Sequence, residues 1–128
     1  MILVDSDVLI AHLRKVPAAH DWLADARRRT GPLGVSVLSI TEIAGGMRSA
    51  ERHEVRRLLQ SMTTLPVTPR IAWRASEWRR QYRRSHAGIG LVDYLIATTA
   101  DVHDLELATL NVRHFPMIEG LTAPFPLR

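Results

Sequence analysis

The 128-residue sequence has no cysteine, which excludes disulfides, thiolate nucleophiles and thiolate-ligated zinc or iron–sulfur centres. A metal bound here has to be held by oxygen or imidazole. Lysine is almost absent too: Lys15 is the only one among 17 basic residues, so the positive charge is nearly all arginine. No apolar run approaches the ~20 residues of a membrane span, and the N-terminus has neither the basic region nor the small-residue cleavage site of a signal peptide. Neither a Gly-x-Ser-x-Gly elbow nor a P-loop Gly-Lys-Ser/Thr is present, so nucleophilic hydrolases and NTPases are set aside. The expectation is a soluble, cytoplasmic chain with no membrane partner, forming one domain over residues 1–128.

A formal net charge of +4 attracts polyanions through counterion release and makes nucleic acid a natural partner. Along the chain, apolar runs of strand length alternate with stretches of helical period. Ile2-Leu-Val4 reads as a strand buried on both faces, followed by a short helix through Val8, Leu9, Ile10 and Leu13. Pro17 opens a second helix reaching about Arg29, with Ala19, Trp22, Leu23 and Ala26 inward. Val35 to Leu38 reads as a second buried strand, and Ser39-Ile-Thr-Glu42 has the capping-box spacing that opens a third helix, weakened in its middle by Gly45-Gly46. Glu51 starts another helix with Val55, Leu58, Leu59 and Met62 inward. Leu65-Pro-Val67 is a strand placed near the sheet edge by its proline. The longest helix runs from about Pro69 to His86 with Ile71, Ala75, Trp78 and Tyr82 as its core stripe, leaving Trp73 and a set of arginines outside. A glycine turn, Ala87 to Gly90, leads into a helix over Leu91–Val102, and Leu105 to Leu110 is the last strand. Strands separated by helices predict an α/β sandwich with a mostly parallel sheet.

Three acids then share one kind of place: Asp5 at the tip of the first strand, Glu42 beyond the second, and Asp93 in the first turn of the helix after the glycine loop. Parallel neighbouring strands open their carboxyl ends on one side, where these acids can converge. Convergent carboxylates share protons or hold cations, and oxygen ligands without thiolates favour Mg²⁺ or Mn²⁺. Each acid also has a plain structural use. Ser6 or Asp7 serves as the cap of the first helix, Glu42 as the capping-box partner of Ser39, and Asp93 as a complement to its helix dipole.

Ile2-Leu-Val-Asp-Ser-Asp-Val-Leu9, Ser39-Ile-Thr-Glu42, Gly90-Leu-Val-Asp-Tyr-Leu-Ile-Ala97 and Ala108-Thr-Leu-Asn-Val-Arg-His-Phe115 come in the order of a PIN domain, and the sequence resembles the VapC toxins of bacterial toxin–antitoxin pairs. The resemblance spans nearly the whole chain. It implies a three-layer α/β/α sandwich with an acidic metal site, in which Asp5, Glu42 and Asp93 match the family acids and Ser6 the residue that orients the first. It implies Mg²⁺-dependent hydrolysis of RNA, leaving a 5′-phosphate and a 3′-hydroxyl, with Asp5 and Asp93 on the metal and Glu42 an outer ligand or the base for the attacking water. It also implies a homodimer and a cognate VapB-type antitoxin whose tail covers the acidic groove. The sequence departs from the family where many relatives carry a fourth acid: here stand Asn111 and His114, the first able to ligate through its carbonyl and the second to contact a phosphate, with Asp7 as a source of the missing charge. Arg83 and Arg84 precede Asp93 and are candidates for gripping the RNA backbone. Trp73 and the apolar tail from Phe115 to Leu127 are candidates for an interface.

Two other readings fit parts of the chain. Asp5-Ser-Asp7 after a strand also suits a haloacid-dehalogenase-like phosphatase, although Lys15 lies too close to that motif to hold the phosphoryl group. The absent fourth acid suits a catalytically decayed PIN-like binding module.

Overall fold

The computed structural model describes residues 1–126, and Leu127, the end of the tail considered above, lies outside the described residues. Four short strands, β1 (Ile2–Val4), β2 (Gly34–Ser36), β3 (Thr63–Leu65) and β4 (Glu106–Ala108), form one sheet in the order β3-β2-β1-β4 with every pair parallel. Six α-helices connect them: α1 (Ser6–Leu13), α2 (Pro17–Thr30), α3 (Val37–Gly46), α4 (Arg52–Gln60), α5 (Pro69–Tyr82) and α6 (Leu91–Val102).

The pleat of β1 divides the core. Ile2 and Val4 face one way, into a cluster with Val8 and Leu9 of α1, Leu23 of α2, Ile43 of α3 and Leu59 of α4. Leu3 faces the other way, with Leu107 of β4, Trp78 of α5, and Tyr94 and Ile96 of α6. All three β1 side chains are buried, because alternate residues of a central strand point into opposite helical layers. The result is the expected α/β/α sandwich, with α1–α4 on one face and α5–α6 on the other. Each fully buried Leu or Val adds about 1.5–3 kcal/mol of apolar transfer.

Several local expectations shift. β2 ends at Ser36, two residues earlier than the apolar run Val35–Leu38 suggests, because the Ser36 hydroxyl accepts the Leu38 N–H at 3.1 Å and starts α3 there. Ser39 is therefore no cap: it lies inside α3, fully buried, with its hydroxyl unpartnered. Gly45-Gly46 lies at the end of α3 and not in its middle as expected, because residues of low helix propensity stop the helix there. A single 3-10 turn over Ser49–Glu51 precedes α4. The β3 strand does lie at the sheet edge, with Pro66 and Val67 just beyond it. α5 ends at Tyr82, four residues before His86, with Arg83 at its C-cap. In the tail, Phe115 (1% exposed) and Phe125 (8%) are core residues, while those between them are exposed or half-buried. Trp73, 75% exposed, and Leu91, 60%, are the most exposed large apolar side chains among the described residues.

Candidate functional site

Because β1, β2 and β4 are parallel neighbours, their carboxyl ends form one rim. The β1–β4 register sets Val4 against Ala108, so the next residues, Asp5 and Thr109, emerge side by side, and the ladder continues through the Asp5 N–H donating to the Ala108 carbonyl at 2.9 Å. Asp5 itself, not Ser6 or Asp7, is the N-cap of α1. Its Oδ1 accepts the Ser6 N–H at 2.8 Å and its Oδ2 accepts the Thr109 hydroxyl at 2.9 Å. This carboxyl is 7% exposed, and lost hydration is the main reason its pKa is pushed up to about 6. The neighbouring charge of Asp7 and that of Asp93 push the same way, against the hydrogen bonds from Thr109 and Ser6.

Asp7 points back to the same turn. Its Oδ2 accepts the Leu110 N–H at 3.0 Å and lies 3.3 Å from the Thr109 hydroxyl, while Oδ1 is buried with no partner. Burial raises its pKa as well, opposed by the bonds from Leu110 and Thr109. A hydroxyl has one proton, so Thr109 can donate to Asp5 or to Asp7 but not to both.

Ser6 joins the second strand's acid to the first: its hydroxyl donates to Oε1 of Glu42 at 3.3 Å. Glu42 is otherwise exposed on α3, on the face turned to the rim. Asp93 occupies the third position of α6, where its Oδ2 accepts the Gly90 N–H at 3.0 Å, so the helix-start role and a rim position coexist in one side chain. The same oxygen lies 3.1 Å from Nδ1 of His114, which in turn is 2.7 Å from the side-chain amide of Asn111. A ring nitrogen offers one proton or one lone pair and cannot satisfy both an amide NH₂ and a carboxylate. His114 is held between Asp93 and Asn111, one of the two contacts being a hydrogen bond in any one tautomer, and is not a free surface imidazole. Arg83 and Arg84 are exposed in the turn after α5, and no hydrogen bond or ion pair joins either to the acids.

The rim therefore gathers Asp5, Ser6, Glu42, Asp93, Asn111 and His114 along two chains of contacts. One runs through Ser6 to Glu42, the other through Thr109, Asn111 and His114 to Asp93. Thr109 is the participant that the sequence reading passed over. It is visible only once β4 is known to pair with β1, which places the residue after β4 beside Asp5. By donor chemistry the site suits a hard divalent cation: the ligand atoms are carboxylate oxygens, and at Asp5 burial and the nearby charges of Asp7 and Asp93 disfavour ionisation. The carboxylates are bridged by other side chains, and among the described residues no three His, Asp or Glu side chains are gathered as a ready-made metal cage.

The phosphatase reading finds no support here. Lys15 sits beyond the far end of α1, paired with Glu54 at 2.6 Å. Residues 2–119 match the PIN domain family. Over 125 residues the chain is 66% identical to ribonuclease VapC10 of Mycobacterium tuberculosis (strain CDC 1551 / Oshkosh), covering 98% of this chain and 93% of that protein. It is 39% identical to ribonuclease VapC19 of the same strain over 98% of this chain and 100% of that one. Among solved structures, a toxin–antitoxin complex from Klebsiella pneumoniae superimposes with a TM-score of 0.81 and 25% identity, covering 99% of this chain and 100% of the other. With the acids of β1, α3 and α6 set on one rim of a parallel sheet, this chain belongs to the PIN domain family as one of its VapC-type members.

Proposed function

We propose that this protein is an endoribonuclease dependent on Mg²⁺, with Mn²⁺ as a substitute, and the toxin of a type II toxin–antitoxin pair. The observation that carries this is the convergence of Asp5, Glu42 and Asp93 on one rim, with Asp5 buried and its carboxyl pushed up to about 6. The similarity to proteins named ribonucleases supports the substrate class. Asp5 and Asp93 would hold the cation, with Glu42 as an outer ligand. When bound, it supplies positive charge for the phosphorane-like transition state and lowers the pKa of the attacking water.

The chain's own groups do the rest. Glu42, the exposed acid, orients and deprotonates the water, and the Ser6 hydroxyl aims it. Asn111, at the place of the absent fourth acid, offers an amide oxygen in place of a charge. His114 and the unpaired Arg83 and Arg84 hold the phosphates on either side of the cut. A homodimer and a VapB-type antitoxin complete the proposal, supported by the likeness to the chain of a toxin–antitoxin complex. An anionic rim lacking its cation is a good receptor for a basic antitoxin side chain.

The test is cleavage of structured RNA with Mg²⁺, with and without a chelator, followed by identification of the product ends. Asp5→Ala or Asp93→Ala is expected to lower the rate by at least about 100-fold, the upper end of what outer-shell partners cost. Cleavage that persists in both variants, or in excess chelator, sinks the proposal. Arg83→Ala/Arg84→Ala is expected to weaken RNA binding and flatten its salt dependence by about 0.7 per lost phosphate contact; an unchanged slope removes these arginines from the site.

A further inference from the structure

The rim carries one more acid than the proposed chemistry uses, and its geometry gives it a different task. Asp7 presents no open oxygen for a cation: Oδ2 accepts the Leu110 N–H at 3.0 Å with the Thr109 hydroxyl 3.3 Å away, and Oδ1 is buried from solvent without a partner. What these bonds do is tie two segments 102 and 103 residues apart. One end is the first turn of α1, directly after Asp5. The other is the start of the turn that leaves β4 and carries Asn111 and His114. Within that turn the Asn111 N–H donates to the Thr109 hydroxyl oxygen at 3.1 Å, so the clamp at residues 109 and 110 also fixes where residue 111 begins.

We propose that Asp7 is a positioning residue that clamps the turn after β4 to α1, and so sets Thr109 against Asp5 and carries Asn111 and His114 to Asp93. It is not a substitute for the missing fourth acid as a metal ligand. The inference rests on the ribonuclease reading of the rim for its kinetic consequence, but the clamp itself is a statement about structure and is measured separately.

Two substitutions separate the roles. Asp7→Asn removes the charge and keeps an acceptor oxygen for the Leu110 N–H, whereas Asp7→Ala removes both. In amide hydrogen exchange, Leu110 is expected to stay protected in Asp7→Asn and to lose protection in Asp7→Ala. In RNA cleavage with Mg²⁺, Asp7→Asn is expected to keep kcat within about threefold. Asp7→Ala is expected to lose about 10–100-fold in kcat with KM little changed, as for other residues that orient metal ligands. Mn²⁺ titrated into the protein without RNA is expected to bind Asp7→Asn within about tenfold of the native chain, the loss of one nearby charge and less than the loss of a ligand.

If Asp7→Asn loses kcat as Asp7→Ala does and loses Mn²⁺ affinity by more than about tenfold, Asp7 acts as a charged ligand and the clamp inference is overturned. Leu110 protection unchanged in Asp7→Ala overturns it equally. Should Asp7→Ala not fold, Asp7→Asn decides alone, through its Leu110 protection and Mn²⁺ affinity. Asp5→Ala serves as the control for the underlying reading: if it cleaves RNA normally, the nuclease proposal falls, while the Leu110 exchange still reports on the clamp.

Discussion

Asp5 holds an ionisable group where water is scarce and like charge is near, and this should make the free protein more stable when that group is neutralised. The carboxyl's pKa is pushed up to about 6 from 3.8, and the side chain is only 7% exposed, so the shift is not screened away by solvent. Between those two values the folded state binds a proton that the unfolded chain does not. Stability due to this group is therefore full below about 4, falls as pH rises, and is lost above about 6. The difference amounts to about 3 kcal/mol at pH 8, and roughly half of that at pH 5. Asp5→Asn removes the charge without removing the contacts. The amide oxygen still accepts the Ser6 N–H, and the amide NH₂ donates to the Thr109 oxygen, freeing the one Thr109 proton for Asp7. Urea unfolding of both proteins in chelator, from pH 4.5 to 8, should show the variant more stable by an amount that grows with pH. For a chain of this size the gain at pH 8 corresponds to a Tm increase on the order of 10 °C. Equal stability at pH 8, or an advantage of the variant that does not change with pH, would refute the burial and repulsion assigned to Asp5.

A divalent cation should reverse that ranking: at pH 8, Mg²⁺ or Mn²⁺ raises the Tm of the native chain and not of Asp5→Asn, with about 1.4 kcal/mol per tenfold excess over Kd, read by thermal unfolding against metal concentration. Glu42→Ala should lower RNA cleavage sharply yet change unfolding free energy by no more than about 0.5 kcal/mol, because the side chain is exposed with one bond of 3.3 Å. Phe115→Ala, at a core position of 1% exposure, should cost about 3–5 kcal/mol in denaturant unfolding.

The layer order was legible because it follows from patterns that local sequence states directly. The run Ile2-Leu-Val4 has no polar face, so both of its sides had to be covered, and helices α2, α5 and α6 announce themselves by proline at the first turn or by apolar spacing. Boundaries were less legible where two residues compete for one role. Ser36 and Ser39 are both good helix caps in sequence; Ser36 wins because β2 needs only three residues to span the sheet, and α3 then starts three residues earlier. The sequence places Asp5 before the helix cap, yet the strand ends so close to α1 that strand tip and cap are the same residue.

At the rim, residue types told which side chains could hold charge, but not which donors they share. Asp5, Asp7 and Thr109 meet only because β4 pairs with β1 in one register, a long-range fact with no local signature. That register explains why a chain without a fourth acid need not be a decayed one. Where a fourth carboxylate would add charge to a rim already disfavouring ionisation at Asp5, this protein places an amide and an imidazole, and the imidazole reaches Asp93. The negative charge to be compensated is smaller, and orientation comes from hydrogen bonds in its place: Thr109 to Asp5, Asp7 to Leu110, His114 to Asp93. Replacing His114 with Asp would then restore the charge and break a strut. Fewer positive charges are needed to neutralise the native rim, so cation binding should be weaker in charge but better placed, and His114→Asp should bind Mn²⁺ more tightly while cleaving RNA no faster.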